Sequence, residues 1–182
     1  MRIIGGIVRG MKLKAPRGKE VRPTSDRVRE AFFSIISHRI ENAIFLDLYA
    51  GSGAVGIEAL SRGAKEAVFI DNRRENILLI RENLSRVKMS DKARLIKSDA
   101  DKALVRLYRE NFKASLIYMD PPYCFNSIPE VIQKLHDSQI TIQNSLITVE
   151  HSYHNRGWLE LFPGARQKRY GDTCLTFIEH LV

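Results

Sequence analysis

From Ile44 onward, short apolar runs alternate with stretches whose apolar residues recur every three or four positions. The runs Ile44 to Leu48, Val68 to Ile70, Leu95-Ile96, Leu116 to Met119 and Leu146 to Val149 read as buried strands. Between them the spacing predicts helices over 54–62, 73–88, 100–110 and 127–137, the last from Ile128, Val131, Ile132 and Leu135. Strand and helix in alternation imply right-handed crossovers and a parallel sheet covered on both faces.

Both ends depart from this pattern. Near the C-terminus, Gly171-Asp172 separates the run Arg166 to Tyr170 from Cys174 to Ile178, which predicts an antiparallel hairpin. At the N-terminus, Gly5-Gly6 and Arg9-Gly10 suggest small turns within a hairpin. Pro23-Thr24-Ser25 then reads as a helix start. Val28, Ala31, Phe32, Ile35, Ile36 and Ile40 form one apolar stripe, with Arg27, Arg29 and Glu30 expected outside it.

Charge sharpens this picture. The chain carries a formal net charge of +8. Residues 1–22 hold seven basic side chains against Glu20 alone, so they contribute +6 and leave +2 for the rest. A basic arm on a nearly neutral body suits phosphate contacts, which give salt-sensitive affinity without sequence information. Arg9, Lys12, Lys14, Arg17 and Arg22 are the candidate contacts to nucleic-acid phosphates. With 182 residues and 44% hydrophobic content, one soluble domain is expected, divided into a basic hairpin (1–22) and a core (23–182). Two cysteines, Cys124 and Cys174, show no metal-ligand spacing, and no apolar run approaches a membrane span, so a cytoplasmic protein without metal is expected.

The chemistry concentrates at the predicted strand ends. Asp47-Leu48-Tyr49-Ala50-Gly51-Ser52-Gly53-Ala54-Val55-Gly56 follows a strand and opens a helix. Gly51 and Gly53 allow a tight turn near a ligand, and Gly56 allows close helix packing. Asp71 ends the second strand, where a carboxylate can accept from both ribose hydroxyls of an adenosine. Lys97-Ser98-Asp99-Ala100 closes the third. There Asp99 could accept from an adenine amino group, or Ser98 or Asp99 could cap the next helix. Asp120-Pro121-Pro122-Tyr123 ends the fourth. An exocyclic base amine is a poor nucleophile because its lone pair is delocalised into the ring. The Asp120 carboxylate and the Pro121 carbonyl can accept its N–H groups and favour rehybridisation, while Tyr123 offers a stacking face.

These residues resemble the class I S-adenosylmethionine methyltransferases that act on amines. Arg22 to Phe33, the glycine loop, the Asp-Pro-Pro-Tyr tetrapeptide and Tyr170-Gly171-Asp172-Thr173 are similar in order and spacing to the RsmD family of 16S rRNA guanine-N2 methyltransferases. The resemblance implies a Rossmann-like α/β fold with a mostly parallel seven-stranded sheet. It also implies methylation of one guanine N2 in 16S rRNA, with assembled or partly assembled small ribosomal subunits as substrate; a monomer is expected. By position, Asp47, Gly51 and Gly53 would line the methionine end of the cofactor, Asp71 the ribose, and Asp99 with Ala100 the adenine. Asp120, Pro121 and Tyr123 would meet the guanine. The family often has Phe at the last tetrapeptide position.

Three other functions fit parts of the sequence. An N6-adenine methyltransferase acting on DNA or RNA could use the same tetrapeptide, although reading duplex DNA calls for an added recognition region. A non-catalytic RNA-binding assembly factor would not need Gly51, Gly53, Asp71 and Asp120 together. A nicotinamide dinucleotide dehydrogenase would not need the tetrapeptide.

Overall fold

The computed structural model describes residues 1–16, 26–121 and 128–179. Helix α1 (Asp26–Ile35) precedes strand β1 (Ile44–Leu48), which is followed by α2 (Ala54–Ser61), β2 (Glu66–Asp71), α3 (Arg74–Arg86) and β3 (Ala93–Lys97). Next come α4 (Ala100–Arg109), β4 (Ala114–Met119), α5 (Ile128–Asp137), β5 (Thr141–Ser152), β6 (Arg166–Tyr170) and β7 (Thr173–Glu179). The strands form one seven-stranded sheet in the order β3-β2-β1-β4-β5-β7-β6. Strands β1 to β5 run parallel, and β7 pairs antiparallel with both β5 and β6. The predicted alternation and the closing hairpin are both present.

Successive strand residues point to opposite faces, and each face has its own apolar layer. Phe45, Phe69, Tyr118, Leu146 and Leu175 pack with residues of α1, α2 and α3. Leu46, Leu48, Val68, Ile70, Ile117, Met119 and Ile147 pack with α4 and α5. Burial of each such side chain is worth about 1.5–3 kcal/mol, which makes the centre of the sheet a firm base for the loops at its carboxyl rim. Strand β5 is longer than its apolar run. Its register against β4 shifts between Ala114 and Leu116, and Asn144 nearby has φ of 63°.

One expectation fails on α1. Val28, Phe32, Ile36 and Ile40 are buried as predicted, and Ala31 and Ile35 half-buried, but Arg29 lies inside at 1% exposure rather than outside. Its Nε stands 3.4 Å from the fully buried Glu58 of α2, and its Nη2 donates to Asp26 (3.0 Å) and to the Arg2 carbonyl. A charge can be buried where a partner charge is buried with it, and that partner is 29 positions away in sequence.

Glu58 also fixes the N-terminal arm. Its two carboxylate oxygens accept the N–H groups of Ile4 (2.9 Å) and Gly5 (2.7 Å). Asn83 of α3 accepts the Lys14 N–H and donates to the Lys14 carbonyl. The arm itself is an irregular hairpin with one bridge, Arg2 to Lys12, and left-handed Gly6 and Gly10 at its turn.

Candidate active site

The glycine loop leaves β1 through strained backbone. Tyr49, a bulky residue, has φ of 63°, Gly51 55° and Gly53 75°. Gly56 needs its missing side chain, because a Cβ there would stand 2.3 Å from the Phe69 ring and 3.1 Å from the Asp47 carboxylate. At Gly51 the nearest atom to a Cβ would be the Tyr49 carbonyl at 3.9 Å, so open space lies over the loop. Asp47 sits beneath it, buried, and accepts the Gly56 N–H at 3.0 Å. Burial pushes its carboxyl up to about 7, against the lowering effect of that N–H and with a further push from Asp71.

Asp71 ends β2 beside this loop. Its Oδ2 accepts the Gly51 N–H and the Asn76 amide, each at 2.9 Å, and its Oδ1 accepts the Arg73 N–H at 2.8 Å. A carboxylate offers about four acceptor positions, so one remains on Oδ1. One of the three bonds ties Asp71 to the glycine loop, and the other two tie it to the start of α3. Asp99 occupies the N-cap position of α4, yet its side chain makes no capping bond. Its Oδ1 accepts from the Asn72 amide at 3.1 Å. Together with Asn72, Lys97, Ser98 and Lys102 it lines a polar depression of about 360 Å³, and Ala100 opens the helix beside it.

Asp120 follows β4, whose Met119 pairs with Leu48 of β1, so it stands next to the start of the glycine loop. Partly exposed, it is held well above the usual carboxylate range, chiefly by burial and then by the charges of Glu150 on β5 and Asp47 on β1. Tyr118 donates its hydroxyl to Glu150. Three neighbouring strands thus bring three carboxyls toward one rim. Pro121 is buried; Pro122, Tyr123 and Cys124 lie outside the described residues.

The profile of the family described as conserved hypothetical protein 95 matches residues 1–179. Ribosomal RNA small subunit methyltransferase D of Escherichia coli K12 is 37% identical over 155 residues, covering 85% of this chain and 76% of that protein. The chain belongs to the RsmD family of rRNA methyltransferases. A Bacillus subtilis protein, provisionally named rRNA methyltransferase YlbH, is 34% identical over 151 residues, 83% of this chain and 82% of that one. A solved structure of the provisionally named methyltransferase yhhF from Escherichia coli superimposes with a TM-score of 0.86 at 34% identity, covering 100% of this chain and 98% of that one. The Rossmann-like class I methyltransferase architecture implied by the resemblance is therefore present.

Among the RsmD-type positions, Asp47, Gly51, Gly53, Asp71 and Asp120 converge on the carboxyl ends of β1, β2 and β4, while Asp99 and Ala100 stand at the neighbouring end of β3. Of the basic candidates, Arg9 and Lys12 are exposed, and Lys14 forms an ion pair with Glu82. Arg17 and Arg22 lie outside the described residues. Sequence reasoning missed Asn76 and Glu150. Asn76 stands five residues past Asp71, but Glu150 had only its place at the end of an apolar run to mark it.

Proposed function

We propose that this chain, acting as one monomeric methyltransferase unit, transfers a methyl group from S-adenosylmethionine to the exocyclic N2 of a guanine in 16S rRNA, within a partly assembled small subunit. The observation that carries this reading is Asp120, placed among acidic neighbours beside the glycine loop. The open space above Gly51, the free acceptor position of Asp71 and the polar depression at Asp99 fit a nucleoside cofactor. When bound, S-adenosylmethionine supplies an electrophilic methyl group.

Asp71 would orient the ribose and Asp99 the adenine. The Asp120 carboxylate and the Pro121 carbonyl would accept the amine N–H groups, directing the nitrogen lone pair toward the methyl. Once the nitrogen has bonded to carbon it must lose a proton, and Asp120, whose raised pKa makes its carboxylate a stronger base, is the acceptor at hand. A carboxylate can also accept from guanine N1–H, which adenine lacks. Exposed Arg9 and Lys12 would contact phosphates, as would Arg17 and Arg22.

The test is to incubate the protein with labelled cofactor and small-subunit RNA, both protein-free and partly assembled, with and without a chelator, and to map the product. N2-methylguanine at one position, formed also in chelator, is expected. N6-methyladenine, or no transfer by a protein that binds RNA, would replace this reading with one of its competitors.

A further inference from the structure

The sequence concentrates its charge in the first 22 residues, but the fold gathers a second cationic group on the other flank of the rim. Tyr153 follows β5, and its N–H donates to the Asp172 carbonyl in the β6–β7 turn at 2.8 Å. The guanidinium carbon of Arg156 lies 4.1 Å from the centre of the Tyr153 ring, and that of Arg169 lies 3.5 Å from it. Both arginines are exposed. Arg169 pairs with Cys174 of β7 in register, and both charges lower that thiol's pKa against the upward push of burial.

Neither guanidinium has a carboxylate partner among the described residues, whereas Arg166 on the same β6 strand pairs with Glu179 at 3.0 Å. Among the described residues, Arg169 spends only its Nε, on the Gly171 carbonyl. Two like charges on one ring stand within a Debye length of each other, roughly 8 Å at physiological ionic strength, and repel. The arrangement is held by cation–π attraction and by a firm loop: the Asn155 N–H donates to the Ser152 carbonyl (3.0 Å), and Trp158 donates to the Asn155 carbonyl (3.0 Å) while packing on His151. Such a pair is relieved by an anion that both forks can hold, and phosphate matches the guanidinium geometry.

Position selects the anion. Val149 of β5 pairs with Met119, the residue before Asp120. Tyr153 is four residues further along, or about 13 Å at strand rise, a distance of a few nucleotides. The N-terminal arm covers α2 and α3 on the opposite side of Asp120 in strand order. We infer that Arg156 and Arg169, seated on Tyr153, form a second backbone-phosphate clamp, so that an RNA strand crosses the rim from the arm, past Asp120, to this cluster. The inference rests on the proposed function only in taking RNA as the substrate.

Binding of transcribed 16S rRNA to the full chain, with S-adenosylhomocysteine present, is measured across a salt series for the parent protein, Arg156→Gln/Arg169→Gln and Arg166→Gln. The double variant should bind about tenfold more weakly, with a salt slope reduced by roughly 1.4 to 1.8, while cofactor affinity and melting temperature hold. Arg166→Gln, which removes a charge already paired, should change the slope by less than half as much. Tyr153→Phe, which keeps the ring, should bind like the parent. An unchanged affinity and slope in the double variant overturns the clamp, and leaves a protein partner for this surface, even if the parent methylates RNA. If the parent binds RNA but methylates none, the proposed function fails while the difference between variants still decides the clamp.

Discussion

The carboxylates that end β2 and β4 live in opposite surroundings. Asp71 is held by three donors, two of them backbone N–H groups. Asp120 has burial and two acidic neighbours against it. The first arrangement fixes a charge and a loop before any ligand arrives, as a binding site requires. The second keeps a charge under stress, which favours taking up a proton when one is offered, as chemistry on an amine requires. Asp47 lies between the two: it has one donor in Gly56, and burial still prevails.

The contrast breaks most visibly at Asp120. Asp120→Ala should lower methyl transfer by 10²-fold or more, about 2.7 kcal/mol, with cofactor affinity nearly unchanged. Single-turnover rates close to the parent's would show that the amine is handled elsewhere. Asp71→Ala should do the reverse, weakening S-adenosylmethionine binding by about 1–3 kcal/mol in calorimetry, since it removes the proposed ribose acceptor and frees the Gly51 turn. Equal affinities would assign Asp71 to the loop alone.

Asp47 gives a stability prediction. Its folded carboxyl titrates at about 7 against an ordinary 3.8, so between these values the folded chain holds a proton that the unfolded chain has lost. Its contribution to stability therefore declines as pH rises through that window, and the penalty is complete above it. Asp47→Asn should flatten this decline and gain about 2–3 kcal/mol at pH 8 relative to pH 5 in denaturant titrations. Parallel pH profiles for both proteins would contradict the assignment. The smallest effect belongs to Glu150→Gln. Asp120 must be ionised to accept, and removing a neighbouring charge should move the acid limb of kcat/KM to lower pH. Burial, the larger cause, remains, so the limb should stay above the ordinary carboxylate range. A shift to higher pH would mean that Glu150 assists ionisation instead.

Elements governed by local pattern were legible in the sequence. Ile44 to Leu48 is β1 to the residue, and the Gly171-Asp172 turn joins β6 to β7. Gly56 was read as a packing glycine, and Phe69 is what it packs against. Features that depend on strand order were not legible. Asp120 was expected beside the glycine loop because both end strands of one parallel sheet, but Glu150 acts on it because β5 is adjacent to β4, an order that alternation of strand and helix leaves open. Arg29 was misplaced for a similar reason, since its environment depends on Glu58, a carboxylate set within a helix whose residues are all buried. The pairing of Lys14 with Glu82, 68 positions away, was likewise not legible.

The Ser52 hydroxyl, one residue past Gly51, lies 3.7 Å from the Met1 sulfur. The other described end of the chain is far from it in strand direction: Glu179 pairs with Leu146, on the amino side of β5, away from the rim that carries Asp120. A purification tag or fluorescent fusion added before Met1 would therefore emerge at the lip of the glycine loop and compete with whatever enters there. The same appendage placed after β7 would hang from the opposite side of the sheet. Assay fusions belong at that end, and a reporter dye before Met1 would register events at the loop.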